Sequence, residues 1–256
     1  MIKRERAQRK PSLGIALCRR DPETQIPQIL LVRSRITYSF SGFVFGKYKP
    51  WDSARLAELV GAMTPEEKLL VWGCNFSRLW YHIWQKIPDN QPTEMSATDT
   101  FYQFYINSRT KFERLIQRDN GRRLRAILTA TGSGELGWDI PGGKAETDEK
   151  ELETAQRELR EEAGVVETDY HLLEDVRPIC NSFEDDNATY VRKYYVAWTD
   201  KKLDPRLNYS NLSQVGEVSA VRWFGLREMS KIVAQNRCLR DQVRLALTLF
   251  KRRVRV

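Results

Sequence analysis

Apolar and polar positions follow two rhythms along this chain, and the change of rhythm divides it. Ser12 to Cys18 and Gln28 to Arg33 are short apolar runs separated by Asp21-Pro22 and Pro27, which predicts two strands joined by a loop. The next strand-like run, Arg125 to Ala130, comes only about ninety residues later. Between them the period is helical. Thr64-Pro65-Glu66-Glu67 supplies an N-cap, a proline at the first helical position and a capping-box glutamate ahead of Leu69, Leu70 and Val71. Phe76 to Ile87 is a second helix dense in Trp80, Tyr81 and Trp84, and Thr98 to Gln117 a third, with Phe101, Phe104, Tyr105, Phe112, Leu115 and Ile116 at helical spacing. A stretch so long and periodic is not a loop. The expectation is therefore an α+β protein in three segments: 1–34 opens a β-containing domain, 35–123 is an inserted all-helical domain, and 124–256 completes the first domain. The strands flanking the insert are expected to pair.

Further along, Trp138 to Gly143 reads as a strand turning into a glycine loop, where backbone can approach a metal or phosphate closely. Arg177 to Ser182 and Tyr190 to Trp198 are strand-like around a Glu184-Asp185-Asp186-Asn187 turn. Glu217 to Phe224 is a further strand, followed by helices over Leu226 to Ala234 and Arg237 to Arg253. The most informative stretch is Gly143 to Val165. Leu152, Ala155, Leu159 and Ala163 form an apolar stripe that anchors a helix, and Gly164 stops it. Glu158, Glu161 and Glu162 recur at three and four residues, so their carboxylates share one face and repel unless a cation sits among them. Oxygen ligands with no Cys or His nearby favour Mg²⁺ or Mn²⁺. Arg157, four residues from both Glu153 and Glu161, can pair with either.

Composition adds a charge argument. The 256 residues carry a net charge of +8, yet Pro141 to Asp175 holds four Lys/Arg against twelve Asp/Glu, a net of −8, leaving +16 on the remainder. An acidic centre in a basic protein suits a polyanionic substrate. Basic residues gather at Lys3, Arg4, Arg6, Arg9 and Lys10, at Arg109, Lys111, Arg114, Arg118, Arg122, Arg123 and Arg125, and at Arg237, Arg240, Arg244, Lys251, Arg252, Arg253 and Arg255. The C-terminal set places Arg237, Arg240 and Arg244 on one helical face, a candidate guide for an RNA backbone. Cys18, Cys74, Cys180 and Cys238 are scattered, which predicts reduced thiols in a cytoplasmic setting, and no run is apolar enough for a membrane span. His82 and His171 have no partner at metal spacing and read as structural.

The spacing Gly-x5-Glu-x7-Arg-Glu-aliphatic-x-Glu-Glu-x-Gly-aliphatic is met in full by Gly143, Glu149, Arg157, Glu158, Leu159, Glu161, Glu162, Gly164 and Val165. This is the Nudix box, and the chain resembles Nudix hydrolases. With a helical insert after the first strands and the Trp80 to Trp84 aromatic run, it looks like the mRNA-decapping Nudix enzymes of large cytoplasmic DNA viruses. The resemblance implies an α/β/α sandwich around a mixed sheet. It also implies hydrolysis of the cap pyrophosphate to 7-methyl-GDP and 5′-monophosphate RNA, and for some relatives cleavage of diphosphoinositol polyphosphates. On that basis Glu158, Glu161 and Glu162 are expected to bind metal with the Gly143 carbonyl, Glu149 to support them, Arg157 to orient the carboxylates, and Lys144 to meet a phosphate. Glu217 resembles the distal glutamate of the superfamily, a general base; a strand-edge acid is the alternative.

The expected partner is capped mRNA, with Arg114, Arg118, Arg122, Arg237, Arg240 and Arg244 as candidate contacts. Phe183, Tyr190, Tyr209 and the insert tryptophans are candidates to stack on a methylated guanine. Two alternatives stay open. A diphosphoinositol or dinucleotide pyrophosphohydrolase would not need three basic tracts, and a catalytically silent RNA-binding protein would not need a complete acidic face.

Overall fold

A computed structural model describes residues 11–73, 75–85, 100–185, 188–232 and 237–254. They fall into two units, one made of Met1–Ser34 with Trp138–Val256 and the other of Arg35–Gly137.

The second unit is helical among its described residues: α1 (Tyr38–Val44), α2 (Ser53–Gly61), α3 (Pro65–Gly73), α4 (Phe76–Trp84), α5 (Thr100–Gln117) and α6 (Arg122–Ala130). Its core is aromatic, with Phe40, Phe43, Trp80, Tyr105 and Phe112 buried among Leu56, Leu79 and Leu115. The start of α3 is fixed as its sequence predicts. The Glu67 backbone N–H donates to Thr64 Oγ1 at 3.2 Å, and Glu67 accepts in return from the Thr64 N–H at 2.9 Å. Glu67, only 3% exposed, also accepts from the N–H and hydroxyl of Thr37, so both of its buried carboxyl oxygens are hydrogen-bonded.

The strand expected over Arg125 to Ala130 is instead the helix α6, and residues up to Gly137 belong to the helical unit. Its β-branched residues suggest a strand, but Leu124 and Leu128, four apart, are the ones buried, and Ile127 packs beside them. Tertiary burial of that stripe overrides local propensity. Residues 86–99 contain the expected end of the second helix and the start of the third, and lie outside the described residues.

The first unit is built on one mixed sheet. Its strands are β1 (Ser12–Arg20), β2 (Pro27–Ser34), β3 (Trp138–Asp139), β4 (Gly142–Lys144), β5 (His171–Leu172), β6 (Ile179–Asp185), β7 (Ala188–Thr199) and β8 (Val218–Gly225). They run β3-β2-β1-β7-β5, with β4 also on β1, β6 on β7 and β8 on β2. β1 and β7 are parallel, and every other described pair is antiparallel. The first strand after the helical unit, β3, pairs with β2 through Val32↔Asp139 and Arg33↔Trp138.

Alternation along β1 and β2 assigns the two faces. Leu13, Ile15, Leu17, Leu30 and Val32 pack with Ala155, Leu159 and Ala163 of α7 (Glu151–Ala163). Ala16, Cys18, Ile29 and Leu31 pack with Leu239, Val243, Ala246 and Phe250 of the C-terminal helix over Arg237–Arg253. Two shorter helices, α8 (Leu212–Glu217) and α9 (Leu226–Ile232), flank β8, so the C-terminal helix is α10. The fold is α+β, an α/β/α sandwich on a mixed sheet. Glu217 closes α8 one residue before β8 begins, where the sequence suggests the strand's first residue.

Candidate active site

The glycine loop and α7 meet because β4 pairs with β1, with Gly14↔Gly142 and Ser12↔Lys144 in register. A Cβ at Gly143 would overlap the Glu158 carboxylate, so glycine there admits the acid against the backbone. α7 ends at Gly164 in the left-handed region, φ 68°, as its stop signal predicts.

Arg157 organises the acidic face. Its Nε and Nη2 donate to the two Glu149 oxygens at 2.9 and 3.1 Å, and its Nη1 donates to Glu158 and Glu161 at 2.9 Å each. Nη2 also reaches the Lys144 carbonyl at 3.1 Å. The alternative partner, Glu153, is engaged elsewhere: its carboxylate accepts from the Lys150 N–H at 3.2 Å and caps the helix. Glu149 additionally accepts from the Glu146 N–H and the Thr154 hydroxyl. The Arg157 hydrogen bonds hold its carboxyl down at about 2.

The remaining acids are shifted the other way. Burial pushes Glu162 up to about 8, against the Gly142 N–H that donates to it at 2.9 Å, and the charges of Glu158, Glu217 and Asp139 add to the rise. Glu158 is raised by burial, with Arg157 pulling it down, and Glu217 by burial and then by the Glu161 charge. The four carboxylates of Glu158, Glu161, Glu162 and Glu217 thus form one electrostatic set. Among the described residues no three of them yet surround a common ion position. Glu158 and Glu161 turn to Arg157, and Glu162 turns to the loop. The donor chemistry fits a hard divalent cation: oxygen ligands only, with Glu158 buried, Glu162 half-buried and the two repelling each other.

A cavity of about 150 Å³ opens beside Glu162, lined by Ser12, Ser34, Asp139, Gly142, Arg192, Tyr194 and Glu217 among others. Asp139 pairs with Arg192 at 2.8 Å, accepts from the Ile140 N–H at 2.9 Å and lies 3.4 Å from the Tyr194 hydroxyl. Sequence reasoning missed Asp139, Arg192 and Tyr194. Fifty-three positions separate the ion pair, and the available signal is the charged pair Arg192-Lys193 in the middle of an otherwise uncharged strand, β7.

The basic residues separate into structural and uncommitted ones. Arg123 holds the Pro50 and Trp51 carbonyls, Arg109 pairs with Glu113, and Lys111 donates to the Gly46 carbonyl. Arg114, Arg118 and Arg122 are exposed and make no ion pair among the described residues. In α10, Arg240 lies 3.9 Å from Asp241, Arg244 is exposed, and Arg237 is the first residue. The Lys144 side chain is exposed. The N-terminal basic tract and Arg255 lie outside the described residues. Of the aromatic candidates, Tyr209 is 80% exposed, whereas Trp80 is fully buried in the helical core. His82 packs edge-on against Phe40, and His171 lies on Trp198, consistent with structural roles.

Comparison with known proteins adds lineage to this geometry. The NUDIX domain family matches residues 114–243. The mRNA-decapping protein g5R of African swine fever virus (a warthog isolate from Namibia) is 32% identical over 222 residues, covering 84% of this chain and 85% of that protein. The same protein from a pig isolate from Kenya is 30% identical over 238 residues, covering 91% of each. The asymmetrical bis(5′-nucleosyl)-tetraphosphatase of Mus musculus is 30% identical over 118 residues, 46% of this chain and 76% of that enzyme.

Proposed function

This chain belongs to the Nudix hydrolase family as a pyrophosphohydrolase, and we propose that its substrate is the 5′ cap of mRNA, hydrolysed with Mg²⁺ or Mn²⁺ to 7-methyl-GDP and 5′-monophosphate RNA. The observation that carries the reading is likeness over most of the chain, beyond the box, to a protein named as mRNA-decapping. The charge balance of the sequence, an acidic box within an otherwise basic chain, supports it.

Glu158, Glu161 and Glu162 would hold the metal, with the Gly143 carbonyl as a further ligand. When bound, the ion offsets phosphate charge and lowers the pKa of a coordinated water. Arg157 keeps Glu158 and Glu161 facing the same way and is itself clamped by Glu149, so the carboxylates lose little freedom when they engage. Glu217, raised in pKa and within the field of Glu161, is suited to take a proton from the attacking water. Lys144 meets a phosphate at the mouth of the loop. Arg114, Arg118, Arg122, Arg237, Arg240 and Arg244 hold the RNA body in this reading, which places the activity in the cytoplasm, where capped mRNA is found. The helical unit, expected as an insert at 35–123, would supply part of that RNA surface.

The test is product identity. Cap-labelled RNA incubated with protein and Mn²⁺ should release 7-methyl-GDP and leave RNA open to a 5′-monophosphate-dependent exonuclease, with chelation stopping both. Release of 7-methyl-GMP, or no release, contradicts the proposal. A second reading, a dinucleotide or diphosphoinositol polyphosphate hydrolase, has in its dinucleotide form the support of the likeness of 46% of this chain to the tetraphosphatase.

A further inference from the structure

The cavity beside Glu162 contains groups that the reaction above leaves unused. Its lining includes the acids Asp139, Glu162 and Glu217, and Arg192 is the one cationic side chain among its described lining residues. An anionic substrate entering a space walled by three carboxylates needs a cation on the protein side. We propose that Arg192 receives a phosphate oxygen of the pyrophosphate-bridged substrate, and that Asp139 and Tyr194 are positioning residues for its guanidinium. The inference rests on the Nudix pyrophosphate chemistry of this site, whichever substrate carries the pyrophosphate.

Three observations carry it. First, register places the arginine. Arg192 on β7 faces Ser12 on β1, which faces Lys144 on β4, and residues opposed across a sheet share a face. Arg192 and Lys144 therefore stand in one row, roughly 10 Å apart at two strand spacings, on the two sides of β1.

Second, the arginine is tied to the acidic helix through a short chain of hydrogen bonds. Asp139 accepts from Arg192 at 2.8 Å and from the Ile140 N–H at 2.9 Å; two residues on, the Gly142 N–H donates to Glu162 at 2.9 Å. The fork and the carboxylate are thus held in fixed relation by the loop between them. Third, the pair lines an open cavity and is not packed shut. Arg192 and Asp139 side chains are 27% and 33% exposed, while Tyr194, which lies beside both, is 2% exposed and holds the dry side. A guanidinium carries five N–H donors in a planar fork, so it can keep Asp139 and engage a phosphate oxygen together. An ion pair that served only to close the sheet would affect melting and leave substrate affinity alone.

The experiment compares Arg192→Ala, Arg192→Lys and Asp139→Asn with the parent. Thermal melts establish folding. Calorimetry of inorganic pyrophosphate binding to metal-free protein then isolates the protein's own anion contacts. Steady-state kinetics with Mn²⁺ follow, on capped RNA and on a dinucleoside tetraphosphate. Arg192→Ala should weaken pyrophosphate binding and raise KM by roughly 10–100-fold, the range for a charge-assisted hydrogen bond, with kcat changed less. Arg192→Lys keeps the charge without the fork and should recover part of the loss. Asp139→Asn should raise KM several-fold with kcat near the parent. If folded Arg192→Ala and Arg192→Lys bind pyrophosphate as the parent does and keep its KM, the proposal is wrong, and a loss confined to melting temperature overturns it equally. Should Arg192→Ala not fold, Arg192→Lys decides by the same criterion. A parent that cleaves the dinucleotide and not capped RNA defeats the cap reading, while KM on the dinucleotide still decides Arg192.

Discussion

The Gly142 backbone N–H donates to the Glu162 carboxylate at 2.9 Å, joining the glycine loop to the helix that carries the acidic face. Glu162 is nonetheless raised to about 8, because burial outweighs that one donor. An acid whose folded pKa lies above its unfolded value of about 4.3 stabilises the fold fully below that unfolded value. The contribution is lost as pH rises through the folded pKa. The metal-free protein should therefore melt at lower temperature at pH 8.5 than at pH 6. Glu162→Gln keeps an acceptor for Gly142 and should flatten that dependence. Melts in EDTA at the two pH values measure it; an equal pH dependence in parent and variant would contradict the assignment.

Turnover should depend on the acidic face more than fold or binding does. Glu161→Gln and Glu162→Gln should each lower kcat by more than about a hundredfold. RNA affinity should hold or rise, because negative charge facing the phosphates is removed. Turnover within a few-fold of the parent would sink the metal assignment.

Arg157 touches three carboxylates and a backbone carbonyl, and a lysine cannot reproduce its fork. Arg157→Lys should lower kcat by roughly 10–100-fold, the usual range for groups that orient ligands. It should also weaken the dependence of melting temperature on Mn²⁺. Kinetics at saturating Mn²⁺ with parallel melts check this, and unchanged kcat contradicts it.

Gly143→Ala tests the close approach of helix and loop. The added Cβ meets the Glu158 carboxylate, so loop or helix must shift, at an expected cost of about 1–3 kcal/mol. Denaturant unfolding gives the stability loss, and Mn²⁺ titration should show weaker binding. Parent-like values in both would show that the loop yields freely.

The uncommitted arginines of the helical unit make a salt prediction. Replacing Arg114, Arg118 and Arg122 together by Ala should weaken RNA binding and reduce the salt slope by about 2, from roughly 0.7 per single-strand phosphate contact. Hydrolysis of a free dinucleotide should be unaffected. An unchanged slope removes these residues from the RNA surface.

What could be read from sequence was local. The box spacing fixes which residues of α7 share a face, because helical geometry needs no tertiary information, and Gly164 and the Thr64 to Glu67 cap behave as their chemistry dictates. β1 and β2 were legible as short apolar runs, but which residue faces which helix was not, because Ile29-Leu30-Leu31-Val32 is apolar throughout and only packing separates the two faces. Arg125 to Ala130 was not, because its apolar residues fit strand and helix alike and only burial of Leu124 and Leu128 decides. The choice of Arg157 partners turned on Glu153 being taken by the helix cap, a competition that four-residue spacing cannot rank. Asp139 and Arg192 come together only through the pairing of β7 with β1 and of β3 with β2, so no spacing announces them.

The most direct test of the account is a parallel assay on one purified sample with Mg²⁺ or Mn²⁺, using long cap-labelled RNA, the free cap dinucleotide and a diphosphoinositol polyphosphate. The account predicts release of 7-methyl-GDP from long RNA, with the free cap a poor substrate because the basic surface then has nothing to hold. Turnover of the small molecules with long capped RNA left intact would contradict it.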